Sequence, residues 1–317
     1  MIFRAKAAHR TQRVVAGLIS ALALTLLASC GGGTTQYDPF VPQRLFAFGD
    51  ESSTLTPAGR RYGVNGLDAT GNLDCTQEPI WVQSVASYYG FAFAECNPSG
   101  KDVKARMLAA DGTRSVELTA QVEAQVAAGG FRNTDLALVL VGANDVVELY
   151  RQYPGRPESS LVDEARARGQ QLARVVNRLV DLGAKVIVST VPDMGVSPYA
   201  RAEKAANFDT DRAALMSRIT AAFNEQLGVN ILLDGRFVGL MQTDLRFQAA
   251  NRSPGSFGLV NVSSGICLLA PPNCTTATLV DAAVPSQYLW ADGTRLAPGG
   301  QGQLATLALE RARRNPF

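Results

Sequence analysis

Three clusters of residue types in this 317-residue chain could do chemistry. The first is Asp50-Glu51-Ser52-Ser53, which follows the apolar run 45–48. A buried strand ending in a tight turn is where an open α/β sheet presents reactive side chains. The second is Gly142-Ala143-Asn144-Asp145, after the apolar run 136–141. There the asparagine either caps the next segment or aims its amide at a developing negative charge. The third is Asp292-Gly293-Thr294-Arg295. Glu51 is a carboxylate that could activate water, although a neighbouring arginine would lower its pKa and weaken it as a base. Arg295 stays protonated and cannot serve as a base at neutral pH. The chain has one histidine, His9. An imidazole base and the commonest zinc ligand are therefore missing from everything after it.

The elements that must carry these clusters alternate along the chain. Apolar runs at 45–48, 91–94, 136–141, 185–191 and 229–233 read as strands. Segments 78–89, 116–128, 161–182, 209–228 and 301–314 show apolar residues at helical spacing, with Gly90 and Gly183 closing two of them. Segment 60–74 is rich in Gly, Asn and Asp and reads as a loop near the Glu51 turn. Strand–helix alternation predicts one doubly wound α/β domain, a central parallel sheet flanked by helices. A hydrophobic content of 46% suffices for a full core. The 18% charged content and formal +2 give no sign of a nucleic-acid partner. No cofactor or metal is expected.

Phe48-Gly49-Asp50-Glu51-Ser52 resembles the first block of the GDSL (SGNH) lipase/acylhydrolase family, in its phospholipase/lecithinase-like branch. In that family a serine follows the aspartate directly; here the position is Glu51. Leu289-Trp290-Ala291-Asp292-Gly293-Thr294-Arg295 resembles the last block, Asp-x-x-His, with Arg295 at the histidine position. Gly142-Ala143-Asn144-Asp145 matches the third block, G-x-N-D, and Gly112 ahead of a helix is similar to the second. Val191-Pro192-Asp193-Met194-Gly195 and Phe257-Gly258-Leu259-Val260-Asn261 also resemble family segments. The resemblance implies an SGNH-hydrolase, flavodoxin-like three-layer sandwich over about 44–314. It implies oxyanion donors at Gly112 and Asn144, and an orienting acid at Asp292. With serine and histidine replaced, it implies an ester hydrolase fold that is catalytically impaired or a ligand-binding pseudoenzyme. The alternative is an acyl-ester hydrolase with an atypical site. Ser52 and Ser53 are expected to make turn hydrogen bonds. Glu51, Arg295 and Asp292 are expected to form one row, with Arg295 bridging both carboxylates.

Residues 1–29 hold Arg4, Lys6, Arg10 and Arg13 and no acids, leaving 26 basic against 28 acidic residues beyond them. A basic start, the short apolar run 14–27 and small residues describe a secretory signal. Leu27-Ala28-Ser29-Cys30 resembles the bacterial lipobox, which implies lipidation at Cys30 and, with no Asp following, an outer-membrane lipoprotein. Residues 30–43 then form a tether to a domain over 44–317. The expected partners are the membrane and an acyl-ester or glycan ligand. Cys75, Cys96, Cys267 and Cys274 remain; two disulfides are expected, with three possible connectivities and the local pairing preferred.

Overall fold

The computed structural model describes residues 40–314, all in one compact unit. The signal at 1–29, Cys30 and the first ten residues of the expected tether lie outside the described residues. Residues 40–43 already belong to the body, since Phe40 packs on the core and the Gln43 amide donates to Thr134 O at 2.8 Å.

Five parallel strands form the centre: β1 (Arg44–Gly49), β2 (Ala105–Met107), β3 (Asp135–Leu140), β4 (Lys185–Ser189) and β5 (Val238–Met241), in the order β2-β1-β3-β4-β5. This is the doubly wound order whose direction reverses between β1 and β3. Helices on both faces explain why β1 and β3 are near-continuous apolar runs rather than alternating ones. Phe46 and Phe48 point into one core, with Leu118, Val146 and Leu172. Leu45 and Ala47 point into the other, with Trp81, Val85 and Leu304. Each such large side chain, removed from water, contributes about 1.5–3 kcal/mol.

The helices are α1 (Trp81–Tyr88), α2 (Leu118–Ala127), α3 (Ala143–Tyr150), α4 (Glu158–Asp181), α5 (Pro198–Ala206), α6 (Arg212–Asn230), α7 (Thr243–Arg252) and α8 (Pro298–Arg314). A two-stranded parallel sheet, β6 (Asn261–Gly265) and β7 (Tyr288–Trp290), leads into the last motif. Three expectations fail locally. The helix expected from 78 begins at Trp81, because Glu78 adopts φ +51° and Pro79 precedes the first turn. Segment 91–94 makes only isolated bridges through Phe93, and the sheet edge is β2. The run 229–233 is the end of α6 and a loop, with Val229 and Leu233 exposed, while β5 starts at Val238. A five-residue apolar run cannot be told from a helix end by periodicity alone.

Candidate functional site

The site is built at the carboxyl ends of β1 and β3, on either side of the point where strand order reverses. Gly49 closes β1 with φ +122°, and a Cβ there would lie 1.8 Å from Leu140 O on the neighbouring strand. Only glycine fits. The Gln121 side chain of α2 grips its main chain, its Oε1 accepting from Gly49 N (2.8 Å) and its Nε2 donating to Gly49 O (3.0 Å). Asp50 then caps a single 3-10 turn, Glu51–Ser53, its Oδ1 accepting from Ser52 N at 2.9 Å. Asp50 is fully buried and its Oδ2 has no partner among the described residues. Burial first, and the charge of Glu51 second, push its pKa well above the ordinary aspartate value.

That turn places Glu51, 8% exposed, against two donors. Its Oε2 accepts from Gly112 N at 3.1 Å and from Asn144 Nδ2 at 2.9 Å. Two N–H groups converging on one oxygen are what an oxyanion site presents. Here the oxygen belongs to the protein's own carboxylate. Asn144 sits in the first turn of α3, which follows Gly142 at φ +129°; a Cβ there would meet Val191 Cγ2 at 2.4 Å. The buried Asp145 beside it accepts from Ser115 N (2.9 Å) and Ser115 Oγ (2.8 Å). Asn144 Nδ2 also reaches Thr113 O at 3.2 Å. Loop 112–115 is thereby pinned to α3, holding both donors in one register. Asp145's carboxyl is pushed up by burial, against the pull of Ser115 and Arg168.

The third cluster follows β7. Asp292 Oδ1 accepts from the main-chain amides of Thr294 (2.9 Å) and Arg295 (2.7 Å), and its Oδ2 accepts from Arg295 Nη1 (3.1 Å). The expected row is broken at its other end. Arg295 Nη2 lies 3.5 Å from Asp111 Oδ1, and the guanidinium stands 5.8 Å over the Tyr62 ring. No hydrogen bond or ion pair joins it to Glu51 among the described residues. Asp292 and Asp111, the latter next to Gly112, take the guanidinium instead. Glu51 still acts on Arg295 through space. Burial works against the guanidinium's charge, but Asp292, Glu51 and Asp111 outweigh it and hold its pKa above the ordinary value.

Both serines are engaged structurally. Ser53 is buried and its Oγ accepts from Trp81 Nε1 at 3.1 Å. Ser52 serves through its main chain, its carbonyl accepting from Gln301 Nε2 at 3.1 Å. The disulfides are Cys75–Cys96 and Cys267–Cys274, the local pairing. The second braces the approach to Asp292, because the Cys267 amide donates to Ala291 O at 2.9 Å. Sequence reasoning missed Gln121, Asp145 and Asp50 as positioning groups. Asp145 stands inside the G-x-N-D block and was the one legible there.

Glu51, Asn144 and Arg295 face a cavity of about 610 Å³, with Arg114, Glu148 and Arg151 on its walls. Among the described residues, no three His, Cys, Asp or Glu side chains are grouped to hold a metal ion, and no helix is long and apolar enough to cross a membrane.

No family model matches the chain. A GDSL-like esterase of Mycobacterium tuberculosis is 32% identical over 128 residues, 37% of this chain and 36% of that protein. The match thus spans about a third of the curated relative. Among solved structures, an acetyl xylan esterase is 15% identical over 84% of this chain and 98% of its own, with a TM-score of 0.45. A member of the lipolytic G-D-S-L family from Veillonella parvula is 14% identical over 84% and 96%, with a TM-score of 0.42. The residues of the first three motif blocks, Glu51, Gly112 and Asn144, meet within hydrogen-bonding distance, and Arg295 of the last block, held by Asp292, lines the same cleft beside them. Together with the curated relative, this convergence supports assigning the chain to the GDSL (SGNH) lipase/acylhydrolase family.

Proposed function

We propose that this protein is a cell-envelope lipoprotein that keeps the acylhydrolase fold and uses its cleft to bind rather than to hydrolyse. One observation carries the reading: Glu51 Oε2 occupies the place between Gly112 N and Asn144 Nδ2. An ester carbonyl needs those two donors as its oxygen becomes negative. In this cleft it would meet an acceptor instead. The covalent route is also missing its parts. Attack by the Glu51 carboxylate would form an anhydride, which needs a second group to activate water. Arg295 keeps its proton and cannot be that group. Kinship with a protein named as an esterase favours a second reading, an acyl-ester hydrolase with an atypical site.

Turnover of p-nitrophenyl acetate and butyrate separates the two. Wild type should show none above background and take no fluorophosphonate label. Glu51→Ser combined with Arg295→His restores a nucleophile and a base beside Asp292 and frees the donors, so turnover should appear only in that double variant. Wild-type turnover abolished by Glu51→Gln or Ser52→Ala would instead establish the atypical hydrolase. The envelope assignment rests on the basic start and on Leu27-Ala28-Ser29-Cys30. A clickable fatty acid fed to expressing bacteria should label wild type and not Cys30→Ser; equal labelling of both would end the lipoprotein assignment.

A further inference from the structure

Glu51 has two carboxylate oxygens, and only Oε2 is accounted for. Oε1 makes no hydrogen bond among the described residues and is not sealed from solvent, while Glu51 faces the cavity. Arg295, the cation placed to satisfy it, is committed to Asp292 and Asp111. A side chain more than nine-tenths buried thus presents one unpaired acceptor to the cleft. Such a group is open to a donor from whatever fills the cleft, water or a ligand hydroxyl.

The consequence is a reversal of hydrogen-bonding polarity. With a serine at position 51, the Gly112 and Asn144 donors would face the cleft and select a ligand that accepts. With glutamate, those donors are consumed and an acceptor faces the cleft. We propose that the cleft is a binding site for a neutral, hydroxyl-rich ligand, a saccharide, with one of its hydroxyls donating to Glu51 Oε1. This rests on the reading of an occupied donor pair given above.

Charge decides against the other class of donor. An ammonium would also suit a carboxylate, but the guanidinium of Arg151, with no carboxylate partner among the described residues to offset it, lines the same cavity. A hydroxyl carries no such penalty. The walls fit it as well. Arg114 is already neutralised by Glu117 and Glu148, whereas Arg151 has no carboxylate partner among the described residues and lies 5.9 Å over the Tyr199 ring. Its N–H groups remain for neutral acceptors such as ring and hydroxyl oxygens. The mixture of donors and acceptors with Val147 and Met194 suits a ligand having both polar and C–H faces.

The test is saturation-transfer NMR and calorimetry with cellobiose, maltose and N,N′-diacetylchitobiose, in wild type, Glu51→Gln and Glu51→Ala. At least one disaccharide should bind wild type. Glu51→Gln should fold normally, turn its carbonyl to the two donors and present an N–H to the cleft; saccharide binding should weaken at least tenfold. Glu51→Ala should weaken it equally and vacate the donor pair. Its melting temperature should then rise with sodium acetate, a rise that wild type and Glu51→Ala with Asn144→Ala both lack. No saccharide binding by wild type, or equal binding by Glu51→Gln, overturns the proposal. An acetate response surviving in Glu51→Ala would then show that the occupied donor pair still stands. Absence of that response would overturn both.

Discussion

Asp50 is the most costly acid at the site, because its burial disfavours the charge that neutral pH would otherwise impose. Its folded pKa lies above the unfolded one, near the ordinary aspartate value of about 3.9. The sign follows from proton binding. The stability this group contributes is fully present below the unfolded pKa and is lost as pH rises through the folded pKa. Asp50→Asn keeps the acceptor for Ser52 N and never ionises. Its melting temperature should exceed wild type at pH 7, by about 2–4 °C for each kcal/mol recovered. The gap should close toward pH 4; a gap constant across pH would refute the assignment. Arg295 belongs at the opposite end of the scale. Its side chain and those of Asp292 and Asp111 are 28%, 26% and 41% exposed, so water screens the cluster. Arg295→Ala should cost no more than about 1 kcal/mol by denaturant titration. A row buried against Glu51 would have implied about 3–5 kcal/mol, since removing the cation would strand two acids.

At the scale of elements, two strand-to-helix turns set the geometry, and each depends on a glycine for a different reason. Gly49 abuts a backbone oxygen of β3, which cannot move without unzipping the sheet. Gly142 abuts side chains, Val191 and Phe223, which can shift. Both also hold positive φ. Gly142→Ala should therefore fold with a loss of about 2–4 kcal/mol, combining backbone strain and overpacking. Gly49→Ala should exceed that and fail to give soluble protein. Equal melting temperatures for the two would mean the β1–β3 contact is softer than its geometry implies. The local failures of sequence reading also belong here. Glu78 with its positive φ and the five-residue run 229–233 were decided by neighbouring packing rather than by propensity.

At the scale of the whole molecule, the two disulfides staple loops onto the rim of the sheet rather than onto its core. Thiol counting under denaturing, non-reducing conditions should find none of the four cysteines free. Loop closure assigns about 3 kcal/mol to Cys75–Cys96 and about 2.5 kcal/mol to Cys267–Cys274, from spans of 21 and 7 residues. Replacing Cys267 and Cys274 by serine should nonetheless do more to ligand binding, since that loop supports Ala291 and the turn bearing Asp292. Calorimetry on both double variants distinguishes the two effects.

Residue types and their order in the chain sufficed for the parallel sheet, and the resemblance of four motif blocks to the GDSL family implied that Glu51, Gly112, Asn144, Asp292 and Arg295 lie in one region. These depend on local periodicity and on motif spacing, which a linear chain carries. They also sufficed to exclude an imidazole base, because the only histidine is His9. What the chain could not reveal is who pairs with whom. Glu51 and Arg295 are opposite charges at touching positions of the family site, and on charge alone an ion pair is the natural expectation. The structure instead gives Glu51 to two neutral N–H donors and Arg295 to two other carboxylates. Within one cleft several pairings have similar Coulombic worth. Side-chain reach, donor direction and the pinning of loop 112–115 by Asp145 select among them, and those exist only once the sheet has assembled.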